Sequence, residues 1–168
     1  MNVEQLMTRD VKTCGPYDSL SDAARIIWEN DCGCVPVVED DRVVGMVTDR
    51  DICMATYTQG RSLSEMQVNG VLSNAHTCGR DDPIGAAEQL MRTHQVRRLP
   101  VVDGEGDLVG MLSVNDILRE AARGRARRAK RDITGEDIVQ MLGAICAPRS
   151  PSAPLGRTGS SATGRQQP

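Results

Sequence analysis

Apolar residues recur along this chain in two alternating periods, and the whole alternation occurs twice. Leu20, Ala23, Ala24 and Ile27 fall at helical spacing after Ser19, a good N-cap residue. Ile84, Ala87 and Met91 do the same after Asp82, read as the N-cap, and Pro83, read as the first helical position. A short extended piece is expected before each helix, around residues 11–14 and 76–78. After the first helix come two apolar runs, 34–38 and 43–47, which the acidic turn Glu39-Asp40-Asp41 joins into a hairpin; the second copy turns through Asp103-Gly104-Glu105-Gly106-Asp107. A further helix is predicted after Thr48 and after Ser113.

The two copies align when the sequence is slid along itself. At an offset of 64, Thr13-Cys14-Gly15 lies over Thr77-Cys78-Gly79, and Val35-Pro36-Val37-Val38 over Leu99-Pro100-Val101-Val102. At 65, Val44-Gly45-Met46-Val47-Thr48 lies over Val109-Gly110-Met111-Leu112-Ser113, and Asp51-Ile52 over Asp116-Ile117. The pattern predicts an α+β chain of two tandem β-α-β-β-α repeats. Each small unit leaves a sheet face to be covered, so the copies should pack with pseudo-two-fold symmetry, and the cleft between them is the default binding site. The expected divisions are 1–60 and 61–121 for the repeats and 122–147 for a basic segment with a C-terminal helix. Residues 148–168 form a tail too poor in apolar residues to offset its ordering entropy, and disorder is predicted there. Within the third division Thr134 caps a run in which Ile138, Met141, Leu142 and Ile145 keep helical spacing.

Composition narrows the function. The chain is 39% hydrophobic, yet its only aromatics are Tyr17, Trp28 and Tyr57, so the core must be aliphatic and a base-stacking platform for single-stranded nucleic acid is missing. A net charge of -3 gives no global attraction to nucleic acid or anionic membrane. The local basic cluster Arg119, Arg123, Arg125, Arg127, Arg128, Lys130 and Arg131 reads as a solvated helix end rather than a nucleic-acid site. No apolar run is long enough to span a bilayer and no signal peptide is evident, which predicts a cytoplasmic protein whose six cysteines are free thiols. Cys32-Gly33-Cys34 lacks partners at metal-site spacing, so no metal is expected, and no nucleophile-and-base pair or phosphate loop points to catalysis.

Residues 45–52 and 110–117 resemble the strand-to-helix signature of cystathionine-β-synthase (CBS) domains: Gly, apolar, any, Ser or Thr, two of any, Asp. With the Pro36 and Pro100 strands upstream, residues 3–121 resemble a stand-alone CBS pair, and the segment 138–146 resembles the tail helix of such proteins of the hypoxic response type. The resemblance implies a non-catalytic regulatory module that needs no cofactor, forms a homodimer and binds an adenosine-containing ligand: AMP, ADP, ATP, NAD or S-adenosylmethionine. Ribose would be held by Thr48 with Asp51 and by Ser113 with Asp116. Adenine would be enclosed by Thr13, Cys14, Val35 and Pro36 in one half, and by Thr77, Cys78, Leu99 and Pro100 in the other. Arg50, Arg97 and Arg98 are the phosphate candidates, since guanidinium fits phosphate oxygens.

Both Thr48-x-x-Asp51 and Ser113-x-x-Asp116 are also capping boxes that start helices with no ligand at all. The alternative reading is therefore a ligand-free dimeric interaction protein, or a redox-responsive stress protein with the CBS pair as scaffold and an unidentified protein partner.

Overall fold

Ser19 begins the first helix as expected: its Oγ accepts a hydrogen bond from the Asp22 amide at 3.1 Å, and α1 runs over Leu20–Glu29. The computed structural model describes residues 1–127 and 133–148; residues 128–132 of the basic segment, and all but the first residue of the tail 148–168 for which disorder is predicted, lie outside the described residues. The hairpin follows as β1 (Cys34–Glu39) and β2 (Arg42–Thr48). Its turn is Asp40-Asp41, with φ of 49° and 63°, the doubly left-handed conformation that matches the twist of a two-residue hairpin; Glu39 belongs to β1. Helix α2 (Asp49–Gln59) ends at Gly60, whose φ of 62° suits a left-handed C-cap.

The second copy repeats the order with β3 (Cys78–Gly79), α3 (Ile84–His94), β4 (Arg98–Val102), β5 (Leu108–Ser113) and α4 (Val114–Arg127). The α+β class and the duplicated unit are as predicted. One helix start differs. Asp82 does not cap α3, because its carboxylate accepts from the Gly79 amide at 2.7 Å and closes the preceding turn, as Asp18 does for Gly15 at 2.7 Å. Pro83 then stands at the N-cap without a side-chain bond.

The strands that open each copy are shorter than expected. In the first copy only Cys14 pairs, in parallel with Val37; in the second, Cys78 and Gly79 pair with Val101 and Val102. The prolines explain this. The Cys14 amide donates to the Pro36 carbonyl, but Pro36 has no N–H to carry the ladder one step further, and Pro100 holds the equivalent place. Both hairpins shift register at the same point, between Val37 and Val38 and between Val101 and Val102.

The two halves exchange segments. Thr8 bridges to Met111 in β5, and Ser73 bridges to Met46 in β2, each residue 65 positions from its counterpart. Likewise the Val3 amide donates to the Asp82 carbonyl and the Val68 amide to the Asp18 carbonyl, both at 3.0 Å. Val3 is buried in the apolar core of the second half, with Ile84, Met91, Leu99, Leu112 and Ile117, whereas Val68 is buried in that of the first, with Leu20, Val35, Val47 and Ile52. Each such valine contributes about 1.5–3 kcal/mol relative to an exposed one. This reciprocity is the pseudo-two-fold symmetry, and it locks the repeats together.

Helix α5 (Gly135–Ile145) is begun by Thr134, whose Oγ1 accepts from the Asp137 amide at 3.2 Å while the Asp137 carboxylate accepts from the Thr134 amide at 2.9 Å. It packs on α3 and buries Met141 and Ile145 in the second core.

Candidate functional site

Each hairpin delivers its last residue to a helix start. At the end of β2, Thr48 Oγ1 accepts from the Asp51 amide at 3.2 Å; Asp51 Oδ2 in return accepts from the Thr48 amide at 3.0 Å and from its hydroxyl at 2.7 Å. At the end of β5 the same closure joins Ser113 and Asp116, with distances of 3.3, 2.8 and 2.6 Å. Both motifs are thus capping boxes. That role engages one oxygen of each carboxylate, so capping and ligand binding are compatible.

The second oxygen separates the halves. Asp116 Oδ1 accepts a hydrogen bond from Arg119 one turn along α4, and Asp116 is 8% exposed. Asp51 is partly exposed, and its Oδ1 has no hydrogen-bond partner among the described residues. A cavity of about 240 Å³ opens beside Asp116, lined by Gln5, Leu6, Arg119, Glu120 and Arg123 as well. Sequence reasoning placed Arg119 only in the basic cluster. Continuing the 65-residue offset beyond Ile117 sets it over Met54, the signal that distinguishes the halves.

The remaining predicted residues divide by what they can offer. Cys14, Val35, Cys78 and Leu99 are core residues, so a ligand could meet them only through main chain; Pro36 and Pro100 are buried beside them, and Thr13 and Thr77 are exposed. Arg50 and Arg97 are exposed. Arg98 is half-buried and reaches from the second repeat to the first: a Cβ on Gly33 would stand 3.6 Å from its Nη1 and 3.5 Å from Asp49 Oδ2, and the guanidinium lies beside the Cys34 thiol. Gly33 sits where α2 begins, its carbonyl accepting from the Asp49 amide at 3.3 Å. Thr48, Asp51 and Arg98 are therefore gathered around one helix N-terminus.

The cysteines are free. Burial first, then the Asp18 carboxylate, pushes Cys14 up to about 11; burial and Asp82 push Cys78 up to about 12. These thiols resist ionisation and so lack the character of redox-active cysteines. His76 and His94 stack with ring centroids 3.6 Å apart, and no three His, Cys, Asp or Glu side chains converge as a metal site among the described residues. No helix among them is long and apolar enough to cross a membrane.

Comparison with known proteins fits this architecture. Hypoxic response protein 1 of Mycobacterium tuberculosis is 33% identical over 146 residues, which span 85% of this chain and 92% of that protein. A crystal structure of Hypoxic Response Protein I with two coordinated zinc ions matches 71% of this chain and 98% of its own at 31% identity, with a TM-score of 0.66. The crystal structure of CBSX2 in complex with AMP matches 74% of this chain and 98% of its own at 25% identity, with a TM-score of 0.65. The CBS domain model matches residues 3–57 and again 68–123, so the chain belongs to the CBS domain family and carries a tandem pair of the kind found in hypoxic response protein 1.

Proposed function

We propose that the chain is a regulatory, non-catalytic module that binds an adenosine-containing ligand of the AMP, ADP or ATP kind in the cleft between its repeats. The observation that carries this reading is the carboxylate at the start of α2, Asp51, which caps its helix through one oxygen and keeps the other open. An ionised carboxylate so placed accepts both hydroxyls of a ribose diol, and the helix N-terminus with Arg98 favours a phosphate. The AMP complex of the structurally similar CBSX2 supports the ligand class. Ligand selects one arrangement of the two repeats, and a partner senses that arrangement.

In this reading the protein works in the cytoplasm as a homodimer with a stress-linked role, the last supported by the name of its mycobacterial relative. The dimer is supported by apolar surface on α1 and α2, where Trp28 is 87% and Tyr57 82% exposed.

Thermal unfolding of nucleotide-stripped protein against AMP, ADP, ATP, NAD and S-adenosylmethionine tests the proposal. A ligand at 100 times its Kd stabilises by about 2.7 kcal/mol, a rise of roughly 5 to 10 °C for a chain of this size. A flat response to all five overturns it.

A further inference from the structure

The two half-sites descend from the same motif, but their carboxylates are not equally free. Resting on the ligand reading above, we infer that the tandem pair binds one adenosine ligand, at the Thr48–Asp51 half-site, and that Arg119 closes the Ser113–Asp116 half-site.

An ionised carboxylate has about four lone-pair positions, two on each oxygen, and a ribose diol needs two acceptors. Asp51 uses two positions, both on Oδ2, for Thr48. Its Oδ1 is left whole for the diol. Asp116 uses the same two for Ser113 and a third, on Oδ1, for Arg119, so one remains. The residue corresponding to Arg119 in the first repeat is Met54, which has no donor to offer and is exposed.

The surroundings agree with this count. The cavity beside Asp116 is lined by charges already matched within α4, Arg119 to Asp116 and Arg123 to Glu120, together with Gln5 and Leu6 from the exchanged N-terminal segment. The first half-site also receives Arg98 from the opposite repeat, whereas the residue corresponding to Arg98 in the first repeat is Cys34, which carries no cation across in return. An exposed ion pair three residues apart is weak by itself. Its effect here comes from occupying an acceptor the second hydroxyl requires. Loss of one hydrogen bond to a charged group weakens binding roughly tenfold to a hundredfold.

Calorimetric titration with AMP tests this on the full chain and four variants, with circular dichroism confirming that each is folded. The wild type should bind one AMP per chain. Asp51→Asn should lose that binding, Asp116→Asn should keep it within about twofold, and Met54→Arg should weaken it at least tenfold by recreating the closing pair. Arg119→Met should raise the stoichiometry to two. Two similar sites in the wild type, or binding lost in Asp116→Asn and kept in Asp51→Asn, overturns the inference while leaving the ligand reading intact. A single site in Arg119→Met removes Arg119 from the explanation, and no AMP binding by any variant overturns this inference, taking the ligand reading with it only when the thermal response to all five ligands is flat as well.

Discussion

Gly45 lies under the main chain of Ser73: a Cβ there would stand 3.0 Å from the Ser73 carbonyl oxygen and 2.7 Å from Leu72 Cδ1. The other half is built alike, with Gly110 under Thr8 at 3.0 Å and Met7 Sδ at 2.6 Å. The glycine that opens each strand-to-helix motif is there for the exchanged segment, which crosses β2 or β5 too closely for any side chain. Its neighbours in the motif, Thr48 and Asp51 or Ser113 and Asp116, close the helix start that follows. One short motif therefore combines an assembly residue with a helix cap.

Alanine at either glycine forces the crossing segment outward, so Gly45→Ala and Gly110→Ala should each lose about 1–3 kcal/mol, measured by urea unfolding. Gly45→Ala should be the worse, because the first atom met at Gly110 is the pliable end of Met7, whereas Gly45 meets branched Leu72. Equal stability of both variants and the wild type would show that the segments are not held as described.

The duplicated unit, the hairpins, the capping boxes and the C-terminal helix were legible because each is written in local periodicity or in a short polar signal. The exchange of Val3 and Val68 between halves was not, since a valine carries no mark of which of two equivalent cores it enters. Asp82 was misplaced for a similar reason: carboxylates cap helices and close turns alike, and the choice depended on the Gly79 amide being within reach. The inequality of the half-sites was readable in principle as Arg119 over Met54, but lay just past the last matched residue.

Glu88 is buried under α5, where Oε1 has no hydrogen-bond partner. Burial first, and then Asp137 of α5, raises its pKa; Arg92 of α3 opposes them. A carboxyl whose folded value lies above its unfolded value is destabilising while ionised, so the penalty is present at neutral pH and is relieved as pH falls toward the folded value. Glu88→Gln should therefore gain about 1 kcal/mol in urea unfolding at pH 7, and the gain should shrink on acidification. A loss of stability that is the same at both pH values would sink this account.

The raised thiols of Cys14 and Cys78 predict the alkaline limit. A unit or more below pH 9 both are neutral in the folded and the unfolded chain and contribute no pH dependence. Between pH 9 and about 11 to 12 only the unfolded chain ionises them, so stability falls as pH rises through that window. A Cys14→Ala, Cys78→Ala double variant should start less stable but lose less between pH 9 and 11. Slopes identical to the wild type's would show that these thiols are not the cause. In the same range exposed Cys53 and Cys146 should react quickly with a disulfide reagent, and Cys14 and Cys78 only on unfolding.

Arg98 offers the sharpest separation of binding from structure, because the same guanidinium faces three groups with different readouts. Toward a bound nucleotide it would act on the phosphate alone, so Arg98→Gln should weaken AMP roughly tenfold and adenosine less than twofold. Asp49, on the other side of Gly33, would repel the same phosphate, and Asp49→Asn should strengthen AMP without changing adenosine. Toward Cys34, whose thiol burial raises and Arg98 partly restores, loss of the cation should slow reaction with an alkylating reagent at fixed pH. Slower Cys34 alkylation with AMP and adenosine weakened equally would make Arg98 a structural contact between the repeats. A selective loss of AMP, reversed in direction by Asp49→Asn, would make it the group through which this cleft recognises phosphate.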